Sequence, residues 1–177
     1  MESIDSLMEN AQVNDITIVG NDFLSFCLGD ELYAVDIKKV EEIRVWENPT
    51  PIPKSPHYLC GVINLRGMIV PIMDLRSRFE LGEAEYLPTT VVLILRAGEE
   101  AGNRTMGIVA DAVSDVVNDA GQTLMPALGD SQVTPFISGL LTLNEHVLSV
   151  FNVDSLLMVE TMLAGQGAGL SLVYQSK

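Results

Sequence analysis

The stretch Gly61–Leu75, GVINLRGMIVPIMDL, returns 78 residues later without a gap as Gly139–Val153, GLLTLNEHVLSVFNV. Eight of the nine apolar positions in the first copy, and its leading glycine, are matched in kind, where a chain that is 47% hydrophobic would match about half by accident. A second echo, at an offset of 73, pairs Val40-Glu41-Glu42-Ile43 with Val113-Ser114-Asp115-Val116, and Phe23–Phe26 resembles Val91–Ile94 in its place within the half. The order strand, strand, strand, turn, strand thus runs twice. Two copies are too few for a solenoid and fit two small β units in tandem.

Working outward from that block, the first copy reads as short β-prone runs with turn chemistry between them. Phe23–Leu28 and Glu31–Asp36 flank Gly29-Asp30, a hairpin signal. Val40–Trp46 alternates, which sets Ile43 and Val45 on one side and Val40, Glu42 and Arg44 on the outward side. Four prolines between Pro49 and Pro56 remove backbone donors and make a stiff ordered loop. Leu59–Leu65 and Met68–Asp74 then flank Arg66-Gly67, so that Arg66 stands at a hairpin tip. Asp74 is an N-cap for a short helical turn. The second copy supplies Thr90–Leu95, Met106–Ala110, Ala112–Val117, Phe136–Leu143 and His146–Val153, and Asp154 caps a terminal helix over Ser155–Ala164. Residues 1–21 are expected to be a flexible acidic arm that can lend Ile16–Val19 to a sheet edge, and 165–177 a flexible tail. The two β subdomains are expected to divide at 22–86 and 87–164.

Bulk properties exclude several function classes. At 177 residues the chain can bury roughly 70% of its unfolded surface without metal or disulfide. Cys27 and Cys60 lie in apolar segments and read as buried free thiols in a reducing compartment. No apolar run approaches the ~20 residues of a bilayer span, so a soluble cytoplasmic protein is expected. A net charge of −14 repels nucleic acid and anionic lipid heads. Proteins are the expected partners. Seven of the ten basic residues lie between positions 38 and 78, whereas 97–160 holds nine acids and only Arg104, as on a two-sided adaptor.

Catalytic raw material is thin. His57 and His146 read as structural histidines, Glu41, Glu42 and Asp115 as solvating carboxylates, and Gly165–Gly169 lacks the strand-to-helix context of a phosphate loop. No HExxH, GxSxG, P-loop or CxxC spacing occurs. No active site, metal or cofactor is assigned.

Three blocks, Tyr33–Arg44 (YAVDIKKVEEIR), Cys60–Leu75 (CGVINLRGMIVPIMDL) and Gly107–Val117 (GIVADAVSDVV), closely resemble the CheW family of bacterial chemotaxis coupling proteins, with the likeness spanning about 22–160. The resemblance implies a mainly β fold of two packed SH3-like, five-stranded β-barrels with a short C-terminal helix. It also implies a non-catalytic adaptor between the cytoplasmic tip of methyl-accepting chemotaxis receptors and the regulatory domain of a CheA-type histidine kinase, recruited to membrane-associated receptor arrays. Related modules also occur within kinase and receiver-containing proteins, and this chain is too short to hold either partner domain as well. By family motif, Arg66 and Glu42 belong to the protein-binding surface, with Val40 and Gly61 near the kinase contact. The groove between the barrels is expected to take the receptor's helical hairpin, with Val109, Val113 and Val116 as candidates. A reading of a different class is a small-ligand-binding sensory β-barrel module, since barrel mouths and domain interfaces host pockets. One tryptophan and few convergent polar groups speak against it.

Overall fold

A computed structural model describes residues 20–98 and 104–158. Among them are ten strands: β1 (Asp22–Leu28), β2 (Glu31–Asp36), β3 (Val40–Val45), β4 (Leu59–Leu65), β5 (Met68–Asp74), β6 (Val91–Ala97), β7 (Arg104–Ala110), β8 (Ala112–Asn118), β9 (Ile137–Leu143) and β10 (His146–Phe151). A one-turn helix, α1 (Leu75–Arg78), follows β5 and is capped by the Asp74 carboxylate, as its sequence predicts. The edge-strand role expected for Ile16–Val19, most of the terminal helix and both tails lie outside the described residues.

Two five-stranded sheets form, ordered β8-β1-β2-β10-β9 and β3-β6-β7-β5-β4. The duplicated block is real in three dimensions: β4 and β9 begin 78 residues apart, as do β5 and β10. The subdomain boundary expected between 86 and 87 does not separate the sheets. Each sheet takes two strands from one repeat and three from the other. Connection length enforces this exchange. β2 is antiparallel to β1 and ends beside its start, whereas a strand completing the same sheet must begin beside the end of β1, about 23 Å away. The 3₁₀ turn Ile37–Lys39 between β2 and β3 reaches only about 6 Å. From β7 to β8 the link is Asp111 alone. Each short connection therefore crosses to the other sheet, so that β3 pairs with β6 and β8 with β1.

Each sheet also curls until its two edges meet at a single bridge. Thr50, downstream of β3, exchanges two hydrogen bonds of 2.9 Å with Val62 on β4, and Met125, downstream of β8, does the same with Leu140 on β9 at 3.0 and 2.7 Å. The expected barrels are thus stitched rather than fully laddered. A glycine stands at each stitch: a Cβ on Gly61 would lie 2.2 Å from the Thr50 carbonyl oxygen, and one on Gly139 2.7 Å from that of Met125. This steric need explains the glycine shared by the two copies.

Strand alternation divides the core into three. Val92, Ile94, Val70, Ile72 and Val109 fill the inside of one curled sheet, and Phe23, Ala34, Leu141, Leu148 and Val150 fill the other. The intervening residues, among them Leu24, Phe26, Tyr33, Leu93, Leu95, Ile108 and Phe151, make one continuous layer between the sheets. Strands β1 and β6 are buried on both faces, which is why FLSF and VVLIL are almost unbroken apolar runs. The helical turn at 153–158 packs Leu156 and Leu157 into this layer. Its cap is Asn152, which accepts from the Ser155 N–H at 3.0 Å, and not Asp154. Asp154 instead accepts from the Gly98 N–H at 3.1 Å and pairs with Lys39 at 3.4 Å. The 78-residue repeat maps the cap Asp74 onto Asn152, a signal that local capping preference overrode.

Candidate functional site

The seam between β3 and β4 gathers three of the four residues that the sequence singles out. At one end Glu42 on β3 lies between two guanidinium groups: Arg44 donates to its Oε1 at 3.0 Å, and Arg66, from the β4–β5 tip, donates to its Oε2 at 3.2 Å. Arg66 has φ 51° and Gly67 φ 87°, the pair of left-handed residues that a tight I′ hairpin turn requires. The turn is held by the Gly67 N–H on Asn64 Oδ1 at 2.8 Å. The tip leaves the Arg66 side chain 72% exposed. An exposed pair of this kind contributes under about 1 kcal/mol, so its geometry does little for stability. It presents a cation on a tight turn beside a carboxylate on β3.

At the other end of the seam stands the Thr50–Val62 bridge, made possible by Gly61 at φ 145°. Gly61 is buried beneath Thr50 and has no side chain to offer; it acts on the surface by seating the proline loop. Between the two closures Arg44, Glu47, Asn48, Thr50, Ile63 and Asn64 line an open cavity of about 220 Å³.

Val40 does not share an outward face with Glu42. A bulge between them shifts the register against β6, and Val40 packs, half-buried, on the layer between the sheets. The exposed side of β3 is the other one: Ile43 and Val45 are 46% and 69% exposed. They lie opposite Leu93 and Val91, so they form an apolar rim on the crease between the sheets. On the second sheet β8 does the same. Val116, 54% exposed, stands opposite Leu24, and Val113 opposite Phe26 packs partly against the same layer. Val109 is fully buried inside its own sheet and has no access to the crease.

A residue that motif reading passed over is Arg76, 1% exposed and the bulkiest fully buried side chain described. Its guanidinium makes a fork onto Asp74 (Nε–Oδ1 3.0 Å, Nη2–Oδ2 2.9 Å), reaches Asp111 Oδ1 at 2.5 Å and donates to the Glu85 carbonyl at 2.8 Å. Burial alone would disfavour its charge, but the hydrogen bonds and charge of Asp74, then of Asp111, outweigh it and hold the proton more firmly than usual. Tyr86 donates to Asp74 Oδ2 at 2.8 Å, and burial followed by that carboxylate pushes its phenol well above the ordinary value. Burial likewise pushes up the Cys60 thiol, 3.8 Å from the Tyr86 hydroxyl. In the sequence Arg76 is one basic residue of a short amphipathic turn; only the long-range partner Asp111 reveals its burial. Among the described residues no group of His, Cys, Asp and Glu is arranged to hold a metal ion, and no helix is long and apolar enough to cross a membrane.

Comparison with known proteins gives a consistent picture. A family model described as a CheW-like domain matches residues 22–160. The chain is similar to the chemotaxis protein CheW of Klebsiella aerogenes, 41% identical over 146 residues that cover 81% of this chain and 86% of the relative. It is 33% identical to the chemotaxis protein CheW of Rhizobium meliloti over 150 residues, 84% and 94% of the two chains. The crystal structure of the scaffolding protein TtCheW from Thermoanaerobacter tengcongensis superposes with a TM-score of 0.70 at 27% identity, covering 78% of this chain and 88% of that one.

Proposed function

Because the chain belongs to the CheW family, we propose that it couples the cytoplasmic tip of methyl-accepting chemoreceptors to the regulatory domain of a CheA-type histidine kinase. Its function is that of a chemotaxis adaptor. It acts without chemistry of its own, and it reaches membrane-associated arrays by binding receptors rather than lipid. The observation that carries the assignment of a kinase-binding surface is convergence: Glu42 and Arg66, 24 residues apart in sequence, meet at one seam whose other end depends on Gly61. Val40 supports that surface from beneath, by anchoring the start of β3 in the core.

The receptor's helical hairpin fits the apolar rim of the crease, where Val113 and Val116 offer the spaced anchors that a helix in a groove uses. The cavity at the seam, about 220 Å³, falls below the ~300–1,000 Å³ typical of small-molecule sites. The test is Arg66→Ala in a reconstituted mixture of receptor, kinase and adaptor. Kinase activation is expected to fall while the thermal melt stays within about 1–2 °C, because the lost pair is exposed. Full activation by the variant would remove Arg66 from the surface.

A further inference from the structure

We propose that Arg76, through Tyr86, is the positioning residue that ties the crease between the two sheets to the seam between β3 and β4, so that a ligand at one changes the other. The inference rests on the adaptor reading and names its regulation. It begins with an unbroken series of contacts. The Gly29 N–H, in the β1–β2 turn of one sheet, donates to Asp111 Oδ2 at 2.6 Å. Asp111 is the single residue between β7 and β8, two positions before Val113 at the crease. Its other oxygen holds Arg76, Arg76 holds Asp74, and Asp74 Oδ2 accepts from the Tyr86 hydroxyl. The Tyr86 ring stacks on Trp46 with centroids 4.2 Å apart. Trp46 directly follows β3 and opens the proline loop that carries the Thr50 stitch.

Stiffness is the physical basis of the link. The guanidinium is a planar fork with fixed donor directions, and Arg76 uses it on two carboxylates and a carbonyl at once. A shift of Asp111 must therefore drag Arg76 and Asp74 with it or give up the 2.5 Å charge-assisted bond to an arginine that is 1% exposed. The related position in the other repeat shows what a pair without this role looks like. Arg76 maps, 78 residues on, to Asp154, whose bond to Lys39 is 3.4 Å long between side chains 52% and 33% exposed. Only one of the two crossings between sheets is locked by a buried hub.

Trp46 is the chain's one tryptophan, so fluorotryptophan labelling places a single fluorine resonance next to the seam. The test titrates the labelled full chain with an unlabelled cytoplasmic receptor fragment from the same genome, and calorimetry scores binding in parallel. The expected result is a shifted Trp46 resonance on receptor binding in the wild type. In Tyr86→Phe, which deletes one hydroxyl and keeps the stack, the shift is lost while receptor affinity stays within about twofold. Asp111→Ala, which cuts the series at its other end, should do the same. Receptor fragment should also change the affinity of the kinase regulatory domain by about fivefold or more in the wild type and by less than twofold in either variant. A resonance that does not move although calorimetry records binding would overturn the proposal, as would a shift that persists in both variants. Absence of receptor binding to the wild type would instead overturn the adaptor reading beneath it.

Discussion

Replacing Gly61 by alanine should open the seam. The added Cβ would sit 2.2 Å from the Thr50 carbonyl oxygen and 2.7 Å from its carbon, both backbone atoms that cannot rotate away. Relief requires the proline loop to lift, which breaks the two 2.9 Å hydrogen bonds between Thr50 and Val62. At about 1 kcal/mol net for each bond, that loss is about 2 kcal/mol. Holding alanine at φ 145°, in a region populated almost only by glycine, adds a further ~1–3 kcal/mol. The total of about 4 kcal/mol is a large share of the ~5–15 kcal/mol by which domains of this size are stable. Urea unfolding of Gly61→Ala against the wild type, with amide exchange at Val62, measures both parts. The prediction is a loss of about 3–5 kcal/mol together with fast exchange at Val62. A loss below about 1 kcal/mol with Val62 still protected would refute the steric argument, and with it the view that Gly61 serves the surface by seating the loop.

Three further outcomes follow from the same structure. Asn152→Ala removes the acceptor for the Ser155 N–H and should cost about 1 kcal/mol in urea unfolding, whereas Asp154→Ala, at an exposed pair, should cost less than half of that. Glu145→Gly relieves a glutamate held at φ 69° in the β9–β10 turn and should stabilise by about 0.5–1 kcal/mol, read as a rise in melting temperature. Burial and then a carboxylate partner raise the phenols of Tyr33 and Tyr86 above the unfolded value of about 10. Folding thus favours their neutral forms, and the stability they contribute is complete below about pH 10 and drains away as pH climbs toward the folded values. Phenolate absorbance should show both tyrosines silent until alkaline unfolding, and Tyr86→Phe should make that unfolding less steep in pH.

The strands themselves were legible from local chemistry, because runs such as VVLIL and turns such as Arg66-Gly67 encode their conformation within a few residues. The duplication was legible too, down to the glycine that each stitch needs. Which strands share a sheet was not. That is set by how far Ile37–Lys39 and Asp111 can reach, and apolar periodicity carries no pairing information. The outward face of β3 is not legible from alternation for a related reason: the bulge between Val40 and Glu42 breaks the period of two, and burial of Val40 depends on a layer contributed by both sheets. Glu42 and Arg66 were found from motif, and the structure adds that they touch. Arg76 has no local mark of burial, because one of its two carboxylate partners lies 35 residues away and a basic residue one place after an apolar helix start looks like any surface cation.

The claim that this chain is a connector between receptor and kinase is tested most directly by kinase autophosphorylation in a defined mixture of receptor-bearing vesicles, CheA-type kinase and purified adaptor. The account predicts that the kinase is strongly stimulated only when receptor and adaptor are both present, and that neither alone suffices. A phosphorylation rate indifferent to the adaptor at saturating receptor would contradict it.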